Sequence, residues 1–124
     1  MEKPNHHEHP ELWFRPSPAM PLSVLLSLIE SEHMTVTPRL GKRDATHPKG
    51  YQPGTVATIR LFDEDWKERL SKRVRITGIT SKPLRAFADE PSLQEELSFF
   101  EGRPITPDET VSFVEFSYLN REDV

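Results

Sequence analysis

One stretch of the sequence indicates the fold most clearly, namely His33-Met34-Thr35-Val36-Thr37-Pro38-Arg39. It is a short run of β-prone residues with alternating hydroxyls, and it ends in a fixed positive charge. A helix-like segment from Pro21 to Glu32 precedes it, and a basic loop follows it. This order predicts that a small barrel carries, at its mouth, three side chains that can contact a nucleobase or a phosphate: Thr35, Thr37 and Arg39.

Length and composition set the class of protein. We expect the 124 residues to form a flexible arm over residues 1–10, one domain over 11–120 and a short tail over 121–124. The chain has no cysteine, which excludes disulfides, thiolate metal sites and a cysteine nucleophile. No apolar run approaches the roughly 20 residues that a membrane span needs, and no signal peptide is visible. We therefore expect a soluble, cytoplasmic protein with no membrane partner.

Charge is segregated along the chain. The net charge of −4 argues against a protein that coats nucleic acid, yet residues 69–88 hold six basic residues and no acidic one. Residues 89–109 hold seven acidic residues and a single arginine. Segregation of this kind can give a positive surface that attracts phosphate. The alternative is that these charges lie on solvated faces and pair with one another.

Hydrophobic periodicity predicts two helices. The first has apolar residues at positions i, i+3, i+4 and i+7, namely Leu22, Leu25, Leu26 and Ile29. The second begins at a capping box formed by Ser92 and Glu95, and it ends at Gly102.

Five strands are predicted from β-prone runs and turn residues. Their ranges are Leu12 to Arg15, Met34 to Pro38, Thr55 to Phe62, Arg73 to Thr80 and Val111 to Leu119. Gly78 breaks the alternation of the fourth strand and predicts a β-bulge there. The elements together favour an α+β fold: a small, partly closed β-barrel of about five strands with two short capping helices.

From about Leu12 to Leu119, the order of these elements resembles the ASCH domain, a branch of the PUA-like barrels. The resemblance is carried by the helix that leads into the Thr35-Val36-Thr37-Pro38-Arg39 strand and by the Pro53-Gly54 turn. Lys82-Pro83-Leu84, the second helix and the closing strand complete it. It implies a PUA-like barrel that binds RNA or modified nucleosides. It also implies a possible amidohydrolase, because small bacterial members of the family remove the acetyl group from N4-acetylcytidine.

The family motif has a glycine, one residue and a lysine, followed downstream by a hydroxyl or an acid and by an arginine. Thr37 matches the hydroxyl and Arg39 the arginine, whereas Glu32 and Met34 stand in place of the glycine and the lysine. A second register that starts at Gly41 loses the arginine, so we prefer the first.

In the family's amidohydrolases the lysine activates a threonine nucleophile and a glutamate assists. The resemblance therefore gives Thr37 the nucleophile's place, and it lets Asp89 or Glu90 supply the carboxylate. The thioether of Met34 cannot take the proton from a hydroxyl. His33 is the substitute base nearest in sequence, although a histidine at a helix C-terminus is also favoured by the helix dipole.

We therefore prefer a binding module for RNA or a modified nucleoside over the amidohydrolase, and a ligand-free interaction domain is a third hypothesis. The predicted binding residues are Thr35, Thr37, Arg39, Lys42, Arg43, Lys49 and Tyr51, and the catalytic alternatives are Thr37, Asp89, Glu90 and His33. Tyr51 and Trp66 can each either stack on a base or pack in the core. No cofactor is expected. No metal site is expected either, since the histidines of the arm have no fixed geometry: His6, His7 and His9.

Overall fold

The predicted helices and strands are found in the computed structural model, which describes residues 10–41, 51–87 and 90–119. In chain order the elements are β1 (Glu11–Phe14), α1 (Leu22–Glu30), β2 (Val36–Leu40), β3 (Val56–Phe62), β4 (Glu68–Pro83), a 3-10 helix (Leu84–Phe87), α2 (Pro91–Glu101) and β5 (Thr110–Tyr118). Apart from Pro10, the predicted arm and tail lie outside the described residues. Neither α-helix of the described ranges has the length and apolar character that crossing a membrane requires.

The five strands form one mixed sheet in the order β1-β3-β4-β5-β2. β1 pairs with β3 in parallel, and the other three pairings are antiparallel. β4 bonds to β3 through its first half and to β5 through its second half, with a register shift between Ile76 and Gly78. The sheet bends into a half-barrel, as predicted, and the bulge at Gly78 is confirmed. β1 and β2 are its two edges.

The closing strand β5 separates two clusters of buried side chains. On one face Val114 and Phe116 join α1 and strands β1, β3 and β4 in the larger core. On the other face Val111 packs with α2, the 3-10 helix and Ile105. Because side chains alternate along a strand, β5 places buried residues on both sides, as the sequence predicts.

The predicted capping box of α2 is wrong. The helix begins at Pro91, with Glu90 at the N-cap and no hydrogen bond from a capping side chain. Proline suits the first helical turn because its φ is already fixed near the helical value, so Ser92 falls inside the helix. The predicted end is confirmed, since Gly102 has a φ of 70° and its N–H donates to the Ser98 carbonyl.

Candidate ligand-binding site

The two edge strands of the half-barrel border a single cavity of about 590 Å³. In the described sheet β1 and β2 do not pair with each other, so the barrel is open along this seam. α2 lies across it. The cavity is lined from β1 by Trp13 and Phe14, from β2 by residues 36–39, and from α2 by Ser92, Leu93, Glu96, Leu97 and Phe100.

Thr37 and Arg39 are the polar residues that β2 contributes to the cavity. On β5 they lie opposite Val114 and Ser112, both fully buried, and they share the inner face of the half-barrel. The Thr37 side chain is only 6% exposed. Thr35 is exposed and does not line the cavity, and its carbonyl accepts the Phe116 N–H at 2.9 Å. Two of the three predicted residues of the motif strand therefore share one site.

Two guanidinium groups are held against aromatic rings in the cavity wall. Arg39 lies over the Phe14 ring, 4.8 Å from its centroid, and Arg15 lies over Trp66 at 3.9 Å. Arg15 also donates to the Glu64 carbonyl at 3.1 Å. Stacking of a guanidinium on an aromatic face fixes its plane, so each group can present its remaining donors in a set direction. Arg15 was not identified from the sequence.

Two carboxylates come from the α2 side of the cavity. Glu90 lines it from the N-cap position, and Glu96 lines it from within the helix. The hydroxyl of Ser17, itself nearly buried, bonds to the Glu96 carboxylate and accepts the Met20 N–H at 3.1 Å. Of the two carboxylates that the sequence offers, Glu90 lines the cavity and Asp89 lies outside the described residues. Glu96 was missed because nothing local in the sequence distinguishes it from its neighbours.

The turn between α1 and β2 has a helix-ending geometry that favours glycine. Glu32 has a φ of 63°. Its N–H donates to the Ile29 carbonyl and the His33 N–H to the Leu28 carbonyl, the two bonds of a Schellman motif with Glu32 at its left-handed position. This is the position where the family motif carries glycine, and here Lys72 binds the Glu32 carboxylate at 3.0 Å.

Beyond this turn, Met34 and Tyr118 fix the entry to β2. Met34 lines the cavity at the position of the family lysine, and its carbonyl accepts the Tyr118 hydroxyl at 2.7 Å. Burial raises the pKa of Tyr118 to about 12, with the nearby Glu32 charge adding to the effect. The hydroxyl therefore stays protonated and able to donate at all physiological pH values.

His33 and Tyr51 do not line the cavity. His33 is exposed at the end of α1, and its Nδ1 lies 2.8 Å from the Ser31 hydroxyl. The stacking interpretation is wrong for Tyr51, because its ring is buried in the larger core and its hydroxyl donates to the Glu11 carbonyl at 2.8 Å. Trp66, by contrast, lines the cavity. The predicted loop contacts and the histidines of the arm lie outside the described residues: Lys42, Arg43, Lys49, His6, His7 and His9.

The cavity is mainly apolar, with a small set of polar groups that converge on it. Aromatic and aliphatic walls can stack against a planar ring, while guanidinium groups donate and carboxylates accept hydrogen bonds. Among the described lining residues there is no lysine and no histidine. Nowhere in the described part of the chain do three His, Asp or Glu side chains gather in a way that could hold a metal ion.

Comparisons with known proteins give one similar fold. No protein-family model matches the chain, and no curated protein matches it. A solved structure of an ASCH domain from Lactobacillus crispatus JV V101 is similar, with a TM-score of 0.47 and 14% sequence identity. The match covers 77% of this chain and 70% of that one. The likeness to this ASCH domain is one of fold alone.

Proposed function

We propose that the protein binds a nucleobase, carried by RNA or by a modified nucleoside, in the cavity between β1 and β2. The observation that carries the proposal is that one cavity joins Thr37, Arg39 and Glu90. These residues come from two elements that are far apart in sequence. A fold that needed this region only for packing would have no reason to bring a hydroxyl, a guanidinium and a carboxylate together at an open seam.

The size and chemistry of the cavity suit a planar heterocycle. Its volume of about 590 Å³ lies within the range of about 300–1,000 Å³ that is usual for small-molecule sites. The rings of Trp13 and Trp66 belong to its wall and offer surfaces for stacking, which is worth about 1–3 kcal/mol per base. Arg15 and Arg39 can donate to ring nitrogens and carbonyls of a base, and Glu90 and Glu96 can accept from its amino or imino groups.

An amidohydrolase that acts on N4-acetylcytidine-like substrates is the second candidate. It is favoured by Thr37 and Glu90 sharing one cavity, a nucleophile and a carboxylate at the positions that the sequence resemblance implies. Against it stands Met34, which lines the cavity in place of the lysine and cannot activate a hydroxyl. We therefore expect absent or very slow release of cytidine from N4-acetylcytidine.

Tryptophan fluorescence gives a direct test of binding, because both tryptophans of the chain line the cavity. Cytidine, N4-acetylcytidine, adenosine, guanosine and uridine would be titrated separately into the wild-type protein. We expect saturable quenching by at least one of them. The variant Ala19→Phe is designed to block the site. Ala19 is an exposed residue of the cavity wall, where added bulk fills the cavity without disturbing the core.

Quenching that is lost in Ala19→Phe would support the cavity as the site. If the wild type gives no saturable signal with any nucleoside at low salt, the proposal fails. The ligand-free interaction domain then becomes the better account of the fold.

A further inference from the structure

The first half of β4 presents a row of cations on the side of the sheet that faces away from the core. Arg73 and Arg75 lie opposite Thr58 and Val56 of β3, and both arginines are exposed. The intervening Val74 points the other way and is fully buried. Lys67 and Arg69 are exposed at the start of the same strand. We call the surface formed by Lys67, Arg69, Ser71, Arg73 and Arg75 the β4 outer face.

The cations of this face are only partly neutralised within the described chain. Arg69 lies 3.6 Å from the Asp63 carboxylate. The Asp63 carboxylate accepts the backbone N–H of Lys67 at 2.9 Å. Among the described residues the side chains of Lys67 and Arg73 make no hydrogen bond or ion pair, and the Arg75 side chain donates only to the Gly54 carbonyl at 2.9 Å. Some of the basic residues in this part of the chain are therefore paired within the protein. Lys67, Arg73 and Arg75 keep donors for an external anion.

Two of the carboxylates near this face are ion-paired. Glu11 and Glu68 both contact Arg60, at 3.3 and 2.6 Å. Glu115 is exposed farther along the sheet, beside Gly78. A groove of about 360 Å³ runs beside Arg73, and the hydroxyl residues Thr58 and Ser71 line it together with Lys72 and the ion-paired Arg60, Glu11 and Glu68. Arginine, lysine and hydroxyl side chains are the usual partners of phosphate oxygens in nucleic-acid complexes.

The β4 outer face and the cavity wall adjoin each other in the chain. Trp66 lines the cavity, and the next residue is Lys67. Trp66 also packs against Trp13, whose ring lies 5.5 Å from the Arg60 guanidinium beside the groove. From Lys67 to Arg75 the strand extends about 26 Å at its usual rise. A strand that places one base in the cavity would pass Trp66 and Lys67 to reach these cations.

We propose that the β4 outer face binds the phosphodiester backbone of a single nucleic-acid strand, one base of which enters the cavity. This inference rests on the proposed function for the base and extends it, because it makes the ligand a polynucleotide rather than a free nucleoside. The overall charge of −4 keeps the rest of the surface unattractive to nucleic acid, so the strand is confined to this track.

The experiment compares two ligands across a series of salt concentrations. Binding of a fluorescently labelled RNA of about eight nucleotides is followed by anisotropy, and binding of a free nucleoside is followed by tryptophan fluorescence. The variants are the double replacement Arg73→Gln with Arg75→Gln, and its charge-preserving counterpart Arg73→Lys with Arg75→Lys. Arg85→Gln is the matched control, because Arg85 is exposed, pairs with Asp108 and lies off the β4 outer face.

Each phosphate contact contributes about 0.7 to the slope of log affinity against log salt for a single strand. We expect the double glutamine variant to reduce the magnitude of that slope by about 1.4, which makes binding less dependent on salt, and to leave the nucleoside affinity unchanged. The lysine variant and Arg85→Gln should keep the wild-type slope.

An unchanged slope in the glutamine variant, with normal nucleoside binding, would overturn this inference and leave the proposed function standing. A lowered slope in a protein that binds no nucleoside would support the β4 outer face and overturn the proposed cavity ligand.

Discussion

Replacing Glu32 by glycine tests whether the turn before the motif strand is strained. Glu32 holds a φ of 63° at the left-handed position that ends α1. A side chain with a β-carbon costs about 1–2 kcal/mol in that conformation. Glycine removes this cost, but its greater freedom in the unfolded chain lowers the free energy of unfolding by about 0.4–1 kcal/mol. The backbone effect that remains is about 1 kcal/mol in favour of glycine.

The matched variant is Glu32→Ala, because both variants lose the contact with Lys72 at 3.0 Å. That pair is partly exposed, with 24% of the Lys72 side chain and 49% of the Glu32 side chain accessible, and such pairs are worth about 0–1 kcal/mol. Because both variants lose it, the difference between their free energies of unfolding isolates the contribution of the backbone. We expect Glu32→Gly to be the more stable by about 1 kcal/mol, or about 4 °C in Tm for a chain of this length. Urea unfolding followed by circular dichroism measures it. If Glu32→Ala proves as stable as Glu32→Gly, the left-handed turn at residue 32 is not present and the Schellman reasoning fails.

Three further predictions concern the core, the chemistry and the pH dependence. Phe116→Ala should lower the free energy of unfolding by about 3–5 kcal/mol, because this ring is 2% exposed; a loss below about 0.5 kcal/mol in urea melts would place β5 at the periphery. Met34→Lys should raise the rate of cytidine release from N4-acetylcytidine by about 10²–10⁴-fold, and rapid turnover by the wild type would instead show that another base activates Thr37. Hydrogen bonds from Arg103 and Thr106 lower the pKa of Glu109 from 4.5 to about 2. The ionised carboxylate therefore stabilises the fold above pH 4.5, and this contribution to the free energy of unfolding is lost as the pH falls towards 2. Glu109→Gln should therefore flatten the loss of stability over this interval in melts at a series of pH values, and an unchanged pH profile would contradict it.

The half-barrel was predictable because short sequence patterns indicate most of its strands and helices. Alternation at Val111–Leu119 gives a strand with two buried faces, and the broken alternation at Gly78 gives the bulge. The same alternation places Thr37 and Arg39 on one face of β2. The start of β4 was missed, since Glu68 to Lys72 has no clear period and is held in the sheet by its pairing with β3.

The rest of the site depends on contacts that no local pattern encodes. Arg15 and Glu96 reach the same cavity only because β1 joins the far edge of the sheet and α2 crosses the open seam. Ser17 and Glu96, which bond to each other, are 79 positions apart in the chain. Tyr51 shows the reverse case, because an aromatic that looked suited to stacking is used to fill the core.

If a nucleobase binds in the cavity, its affinity should depend on the Arg39 guanidinium. Isothermal titration calorimetry would compare the wild type with Arg39→Ala and with the control Arg85→Ala, which alters an exposed arginine away from the cavity. Loss of a charge-assisted hydrogen bond to the base is worth about 1.5–3 kcal/mol, or about 10- to 150-fold in Kd. We expect that loss for Arg39→Ala and none for Arg85→Ala. Equal affinities in all three proteins, or no binding by the wild type, would contradict it.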